Sequence, residues 1–554
     1  ICGYIFSHIF IDKNDEIKNN IFELFFYGSF LLCFLALFLN FFFSLNEILN
    51  TFILILPFIL FLFLLNKKFL KKIFLLSFPI SLLFLLTIAY DGTYRPDAGS
   101  YHLPYISILN DSKIIIGINN IHYRFGHTSI IQYLSAIYNN VIFGEKGIVI
   151  PLGLIYCNFI GYCIYELSKY KNNSIQKIII FLIFSFVVFR VNRYSDFGND
   201  APANLLFFFL IIETIKNNEV NIKIKKTIIA STFILLNKVT LLLGVFIPIF
   251  LILKNFDLKK IMNKVFIFSF IFIFFYIGKN ILISGCAMFP IEQTCLKNLY
   301  WYDSNSTRGS NAVNARIENE AWTKGWVNQK IDKKSYKEYL KNFNWINTWI
   351  KSEGKTITKK ILPFTIFLVI LLIPLIYFEI RSKNIKYKDK IFINNYILSF
   401  VISILGSVLW FYKFPVFRYG YAYLISFLAI GIAIYFKNYK FFHYPDKFNK
   451  LTTYLIIFLM FGICLKNFNR IYKGINNNEA LWPNIYNSNN IFKKKINLAI
   501  KKNNEIIFYK SIENECYYSI GPCTHFYNGN DFKLNEIGVN EFYGYKVYYF
   551  NKKG

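Results

Sequence analysis

The sequence predicts an all-α integral membrane protein, a multi-helix bundle followed by a small α/β or β-containing tail, and three observations carry that prediction. Hydrophobic residues make up 55% of the 554 positions and charged residues only 17%, a balance that suits lipid as the solvent. Apolar runs such as 21–43, 73–90 and 265–283 are long enough, at about 1.5 Å per residue, to cross a hydrocarbon core roughly 30 Å thick. The lysines gather in short segments between those runs. The net charge of +30 therefore reports membrane topology and an AT-rich coding sequence, and argues against a nucleic-acid partner.

Taken in order, residues 1–10 read as the last turns of a first helix that is truncated. Basic short loops mark the cytoplasmic side, so Asn66 to Lys72 (NKKFLKK) starts the 73–90 helix inside and leaves 91–129 as an external loop. Within that loop, 106–118 and 129–138 have the spacing of amphipathic helices lying along the interface. Helices follow near 147–167, 176–192 and 201–216, with Arg190 to Pro202 as a second external loop. The stretch 227–253 has lysines on both flanks and Asn237-Lys238 at its middle. That pattern predicts a re-entrant hairpin turning at 237–240, with a single tilted span and a snorkelling lysine as the alternative.

Helices near 265–283, 361–379, 392–412, 421–436 and 451–466 then alternate with basic interior segments. The transmembrane domain thus covers 1–466, its long external loop 284–360 carries Trp301, Trp322, Trp326, Trp345 and Trp349, and 467–554 forms an external tail with short strands near 505–509 and 545–550. Cys286 with Cys295, and Cys516 with Cys523, stand in polar segments on the expected outer side. Disulfides there imply an oxidising compartment, and free thiols are the alternative.

Polar residues that could do chemistry concentrate where the chain leaves lipid. The first external loop reads Asp91-Gly-Thr-Tyr-Arg95-Pro-Asp97-Ala-Gly-Ser-Tyr101-His102-Leu-Pro104. Asp97 is either a helix N-cap or a reactive carboxylate. The second loop supplies Arg193 and, two residues before Pro202, Asp200, again a candidate first-turn residue or cap. Lys238 stands at the hairpin apex, and the run Trp410-Phe-Tyr-Lys413-Phe-Pro-Val-Phe-Arg418-Tyr-Gly420 is either an aromatic belt with snorkelling cations or part of a site. Acids and cations converging there would suit an anionic lipid head, with a half-helix N-terminus facing its phosphate.

This pattern resembles the GT-C superfamily of polytopic glycosyltransferases. The residues that carry the resemblance are Asp97 in the first outer loop, Asp200-Ala-Pro202, Lys238 and Arg418-Tyr419, with the runs Asp97-Ala-Gly-Ser-Tyr-His-Leu-Pro104, Ser284-Gly-Cys-Ala-Met-Phe-Pro290, Phe414-Pro-Val-Phe-Arg-Tyr-Gly420 and Pro522-Cys-Thr524 placing it nearest a bacterial multi-pass branch. The resemblance implies a GT-C-like bundle and an inverting glycosyltransferase in a bacterial inner membrane, its active side and tail extracytoplasmic. Its donor would be a sugar on polyprenyl phosphate and its acceptor a glycan or lipid. Asp97 would be the catalytic base, Asp200 would orient acceptor or donor, and Arg95, Tyr101, His102, Arg193, Lys238 and Arg418 would bind substrate. No cofactor is implied with certainty. Many relatives follow the aspartate with Glu where this chain has Ala98, which weakens metal binding and leaves a divalent metal as an open alternative. A lipid-linked glycan flippase or polymerase-type protein without the Asp97 chemistry is the competing reading.

Overall fold

The computed structural model describes residues 1–11, 21–63, 67–92, 96–169, 174–191, 194–195, 197–255, 263–305, 308–329, 334–380, 390–436, 445–483, 498–502, 505–511, 515–519, 521–524 and 537–550, and in it the apolar runs fold as helices. The first half comprises α1 (Cys2–Phe6), α2 (Ile21–Asn40), α3 (Glu47–Phe63), α4 (Lys67–Ile88), α5 (Leu103–Asp111), α6 (Ile130–Ile137), α7 (Ile150–Ser168), α8 (Ser174–Arg190), α9 (Asp200–Ile215), α10 (Val220–Asn237) and α11 (Phe246–Lys254). The second half holds α12 (Lys264–Ser284), α13 (Ala312–Thr323), α14 (Lys355–Ile380), α15 (Lys390–Lys413), α16 (Phe417–Phe436) and α17 (Pro445–Asn476). Among the described residues, seven helices, α2, α12 and α16 among them, are long and apolar enough to cross a membrane. Phe74 and Phe78 on α4, Phe270 and Phe274 on α12 and Phe458 and Phe461 on α17 point outward, as lipid-facing side chains do.

α9 is the axis of the bundle. Every residue from Pro202 to Ile215 is buried, and the helix packs against α7, α8, α10, α15 and α16. Its two ends carry different charge arrangements. At the C-terminal end, Glu213, Glu23 from α2 and Glu166 from α7 surround Lys216, whose Nζ lies 2.6, 2.8 and 3.2 Å from their carboxylate oxygens. Lys226 of α10 also pairs with Glu23, and the Tyr162 hydroxyl donates to Glu213 at 2.5 Å. All these groups are buried, so the cluster holds only because each charge is paired. The N-terminal end, about 24 Å away at 1.5 Å per residue, lies at the cavity described below.

α10 ends at Asn237, Lys238 is extended (φ −151°, ψ 109°), and a 3-10 stretch Val239–Val245 leads into α11, which packs back against α10. The ammonium of Lys254 at the far end of α11 acts on that of Lys223 near the start of α10, so both lysine-rich ends return to one side. The arms are unequal, 18 and 9 residues long.

Two expectations about the first loop need correction. Helices do form there, α6 with a capping box between Ser129 and Gln132. But Leu103 to Asn110 and all of α6 are buried, so neither keeps the wet face of an interfacial amphipathic helix; α6 packs against α2, α3 and α5, and Ser107 of α5 is held by the carbonyl of Ser519. The helix expected over 106–118 also stops at Asp111. α3 is a helix outside the predicted series.

Beyond α17, which runs past Lys466 to Asn476, β1 (Leu498–Lys502), β2 (Glu505–Lys510) and β3 (Cys523–Thr524) form one small sheet. β4 (Ile537–Phe542) and β5 (Tyr545–Phe550) form a hairpin. Val547 of β5 bridges to Ile116, and the Tyr548 amide donates to the Ile116 carbonyl at 2.9 Å. Both cysteine pairs, Cys286–Cys295 and Cys516–Cys523, are disulfides.

Candidate functional site

The site is built from helix ends that the sequence cannot continue as regular helix. α16 begins after Pro415, and its first turn opens at Gly420 (φ −153°, ψ 15°). A Cβ there would lie 2.3 Å from the Trp410 ring. The carbonyls freed by this opening are taken up by neighbours: Asn204 of α9 donates to Arg418 O at 2.9 Å, and Thr240 donates to Tyr419 O at 3.1 Å. Asn199 occupies the N-cap position of α9 without a side-chain capping hydrogen bond, and Asp200 stands in the first turn. Asp97 likewise occupies the N-cap position of a π-helical turn, Ala98–His102, and makes no capping hydrogen bond.

Those side chains meet. Arg418 Nη2 lies 2.9 Å from Asp97 Oδ2, and Arg418 Nε lies 3.3 Å from Asp200 Oδ2. Lys238 pairs with the other oxygen of Asp200, and its Nζ sits 3.8 Å from the centre of the Tyr419 ring. One guanidinium therefore joins two carboxylates, and one of those carboxylates holds a second cation. Burial tends to raise the Asp97 carboxyl, but the charges of Arg418, His102 and Arg124 outweigh it and hold the group below its ordinary value. Asp97 is a carboxylate at neutral pH, and its side chain is 37% exposed, open to a ligand.

Asp97, Tyr101, His102, Lys238 and Arg418 line a cavity of about 1600 Å³. Asp200 is not among the lining residues; it grips both cations from behind. Arg95 and Arg193 lie outside the described residues. His102 Nδ1 lies 3.4 Å from Gln132 Nε2, and burial, then Asp97, pushes the Tyr101 hydroxyl well above its usual value, so Tyr101 can donate to a ligand but not act as its base.

Sequence reasoning missed part of the wall. Arg124 stacks on the rings of Tyr123 and Tyr101, 4.9 and 5.7 Å from their centres. His127, 2.9 Å from Asn319 Nδ2, is driven well below its usual pKa by burial and by Arg124 and Lys238, and stays neutral. The run His122-Tyr-Arg124-Phe-Gly-His127 was the available signal. In all, the cavity is lined by seven cationic side chains (Arg124, Lys238, Arg316, Lys337, Lys360, Lys413 and Arg418) against the carboxylates of Asp97, Glu318, Glu320 and Glu353. The excess favours an anionic ligand.

Of the five tryptophans in the 284–360 loop, only Trp322 and Trp326 reach the cavity. Trp345 is buried in a small core with Ala321 and Tyr339. Trp301 and Trp349 donate to the carbonyls of Ile281 and Pro415 at 3.0 and 2.7 Å. Three of these rings are thus committed to packing, Trp345 within the loop and Trp301 and Trp349 against α12 and the segment before α16. Trp410 is buried too, not part of an interfacial belt. Among the described residues no group of three His, Cys, Asp or Glu side chains could hold a metal ion. At Asp97 the carboxylate's partner is a guanidinium, a set that does not fit a divalent ion.

Residues 1–425 match the model of a family described as a domain of unknown function, DUF8201. No curated protein and no solved structure matches the chain.

Proposed function

We propose that the chain, which belongs to the DUF8201 family, is a membrane-embedded glycosyltransferase with a GT-C-like bundle that moves a sugar from a polyprenyl-phosphate carrier to a glycan or lipid acceptor. The observation that carries this reading is the solvent-accessible Asp97 carboxylate, ion-paired to Arg418 on the wall of a large cationic cavity that Lys238 also lines. The acceptor hydroxyl attacks the anomeric carbon, the bond from that carbon to the phosphate oxygen breaks with inversion, and Asp97 takes the hydroxyl proton. The polyprenyl phosphate leaves with the bonding electron pair, its charge met by Arg418 and Lys238. Asp200 keeps those two cations in place. Leu235, Leu236, Val239, Ile273 and Ile277 give the same cavity an apolar flank, suited to the first units of the lipid chain, while Trp322 and Trp326 offer faces for sugar rings.

Charge and cysteine placement support an extracytoplasmic position for the cavity. Lys216, Lys223, Lys226 and Lys254 gather at the end of α9, α10 and α11 away from the cavity, which the positive-inside rule assigns to the cytoplasm. Both disulfides lie at the cavity's end of the bundle, Cys286 just past α12 and Cys516 against Gly99, in keeping with an oxidising, extracytoplasmic compartment.

The test is transfer from a polyprenyl-phosphate sugar pool by protein reconstituted in lipid. Asp97→Asn keeps the shape and removes the proton acceptor, so transfer should fall about 10²–10⁴-fold while binding of the carrier persists. A carrier that flips or hands on lipid-linked glycans is the second reading, favoured by the excess of cations. It predicts that Asp97→Asn leaves lipid movement intact, and unchanged transfer in that variant removes Asp97 from the mechanism.

A further inference from the structure

The segment bearing Asp97 is gripped on both flanks by residues from the last part of the chain, beyond the 1–425 family region. On the N-terminal flank, Arg470 of α17 places Nη2 within 3.0, 2.6 and 2.9 Å of the carbonyls of Leu86, Thr87 and Ala89. These are carbonyls that the end of α4 leaves without helical partners, and a cation there also suits the helix dipole. The next residue, Tyr90, is left-handed (φ 55°), a conformation that non-glycine residues rarely adopt. Its amide donates to Leu481 O at 2.8 Å, and its ring lies against Gly474, where a Cβ would come within 2.6 Å. Asp91 then accepts the amides of Tyr194 and Ser195 at 2.7 and 2.9 Å, and Lys466 of α17 donates to Val191 O at 3.2 Å from the other side of that corner.

On the C-terminal flank, the amides of Cys516 and Tyr517 both donate to one acceptor, Gly99 O, at 2.9 and 2.8 Å. Tyr517 is left-handed as well (φ 54°), and the Cys516–Cys523 disulfide closes the loop that carries these amides. Ser107 donates to Ser519 O at 2.5 Å, the Tyr518 hydroxyl reaches Asn110 and Asn139 at 3.0 and 2.9 Å, and Thr524 lines the cavity itself.

We propose that the C-terminal part of the chain, through Arg470 on one flank and the disulfide-closed loop 516–523 on the other, is a positioning element that fixes Asp97 against Arg418. It rests on the reading of Asp97 as the reactive carboxylate for its catalytic consequence, but not for its structural one. None of these residues touches the reacting atoms. They act by removing the freedom of the backbone at 86–91 before Asp97 and at Gly99 after it, where the left-handed Tyr90 would otherwise let the chain relax.

Amide hydrogen exchange on the full chain in lipid nanodiscs, read across 86–92 and 96–103, tests this in three variants: Arg470→Gln, the pair Cys516→Ser with Cys523→Ser, and the milder Ser107→Ala. Exchange in both segments should rise at least tenfold in the first two and less in the third, with α7 and α9 unchanged, and Arg470→Lys should recover part of the protection. Transfer should show a lower kcat at unchanged KM for the carrier. Exchange equal to the parent in the two stronger variants overturns the proposal; should either variant fail to fold, equal exchange in Ser107→Ala does so. The parallel Asp97→Asn protein separates the two claims. Raised exchange in the clamp variants with full transfer in Asp97→Asn keeps the clamp and discards the base.

Discussion

Asp97 is tuned by its neighbours. Burial favours the protonated acid, and Arg418 leads the opposing charges that hold it ionised. In the proposed transfer Asp97 must be ionised to accept the proton, so the acid limb of kcat/KM should lie below the ordinary aspartate range near about 3.9, with a flat profile through neutrality. Arg418→Gln removes the largest opposing charge and should move that limb to higher pH, which a pH–rate series of the two proteins would read; an unmoved limb would separate the titrating group from Asp97. Asp97 and Arg418 were legible in the sequence because each is a charged residue at the edge of an apolar run, and Lys238 because it stands inside one, where a charge is costly without a task. The role of Asp200 was half legible. Its position in the first turn of α9 follows from Pro202, but its place behind the two cations is set by contacts to Lys238 and Arg418 that no local spacing encodes. Arg124 was overlooked because its aromatic partner Tyr101 belongs to a different segment of the loop.

At the level of elements, the break between α10 and α11 could be read from Asn237-Lys238 and the lysines on both flanks, since a polar pair in mid-run and like charges at both ends leave few arrangements. The buried state of α5 and α6 could not. Their apolar spacing is the same whether the remaining face meets headgroups or protein, and the partners are distant in sequence: α2 and α3 pack on α6, and Ser519 and Tyr518 reach α5 from hundreds of positions away. The ionic cluster at the end of α9 was equally hidden, because Glu23, Glu166 and Glu213 come from three helices. Lys216→Met would leave three buried carboxylates with Lys226, paired to Glu23, and the half-buried Lys169, whose Nζ lies 2.9 Å from Glu166, as their remaining cations. Breaking a buried ion pair typically costs about 3–5 kcal/mol. Thermal unfolding in detergent should therefore drop by many degrees while the Asp97 environment at the other end is unaltered in carrier binding. A variant as stable as the parent would show that the cluster is not held together by its charges.

For the whole molecule, composition alone fixed lipid as the solvent, and the apolar runs gave most of the helices to within a few residues. What they could not give is how the ends of the chain close on the middle: the tail that reads as a separate external appendage is packed on the first loop, through Gly99, Ile116 and Asn120. The picture is of a bundle with a paired-charge anchor at one end and an anion-attracting chamber at the other, joined by the buried rod of α9. Its central claim is that this chamber receives a polyprenyl phosphate. Photo-cross-linking in nanodiscs with a polyprenyl phosphate carrying a diazirine on the isoprene unit next to the phosphate tests that most directly. The account predicts adducts on the residues around Lys238, Ile277 and Tyr419, competed by unlabelled polyprenyl phosphate but not by phosphatidylglycerol. Adducts confined to outward residues such as Phe74, Phe270 and Phe458, indifferent to the competitor, would contradict it.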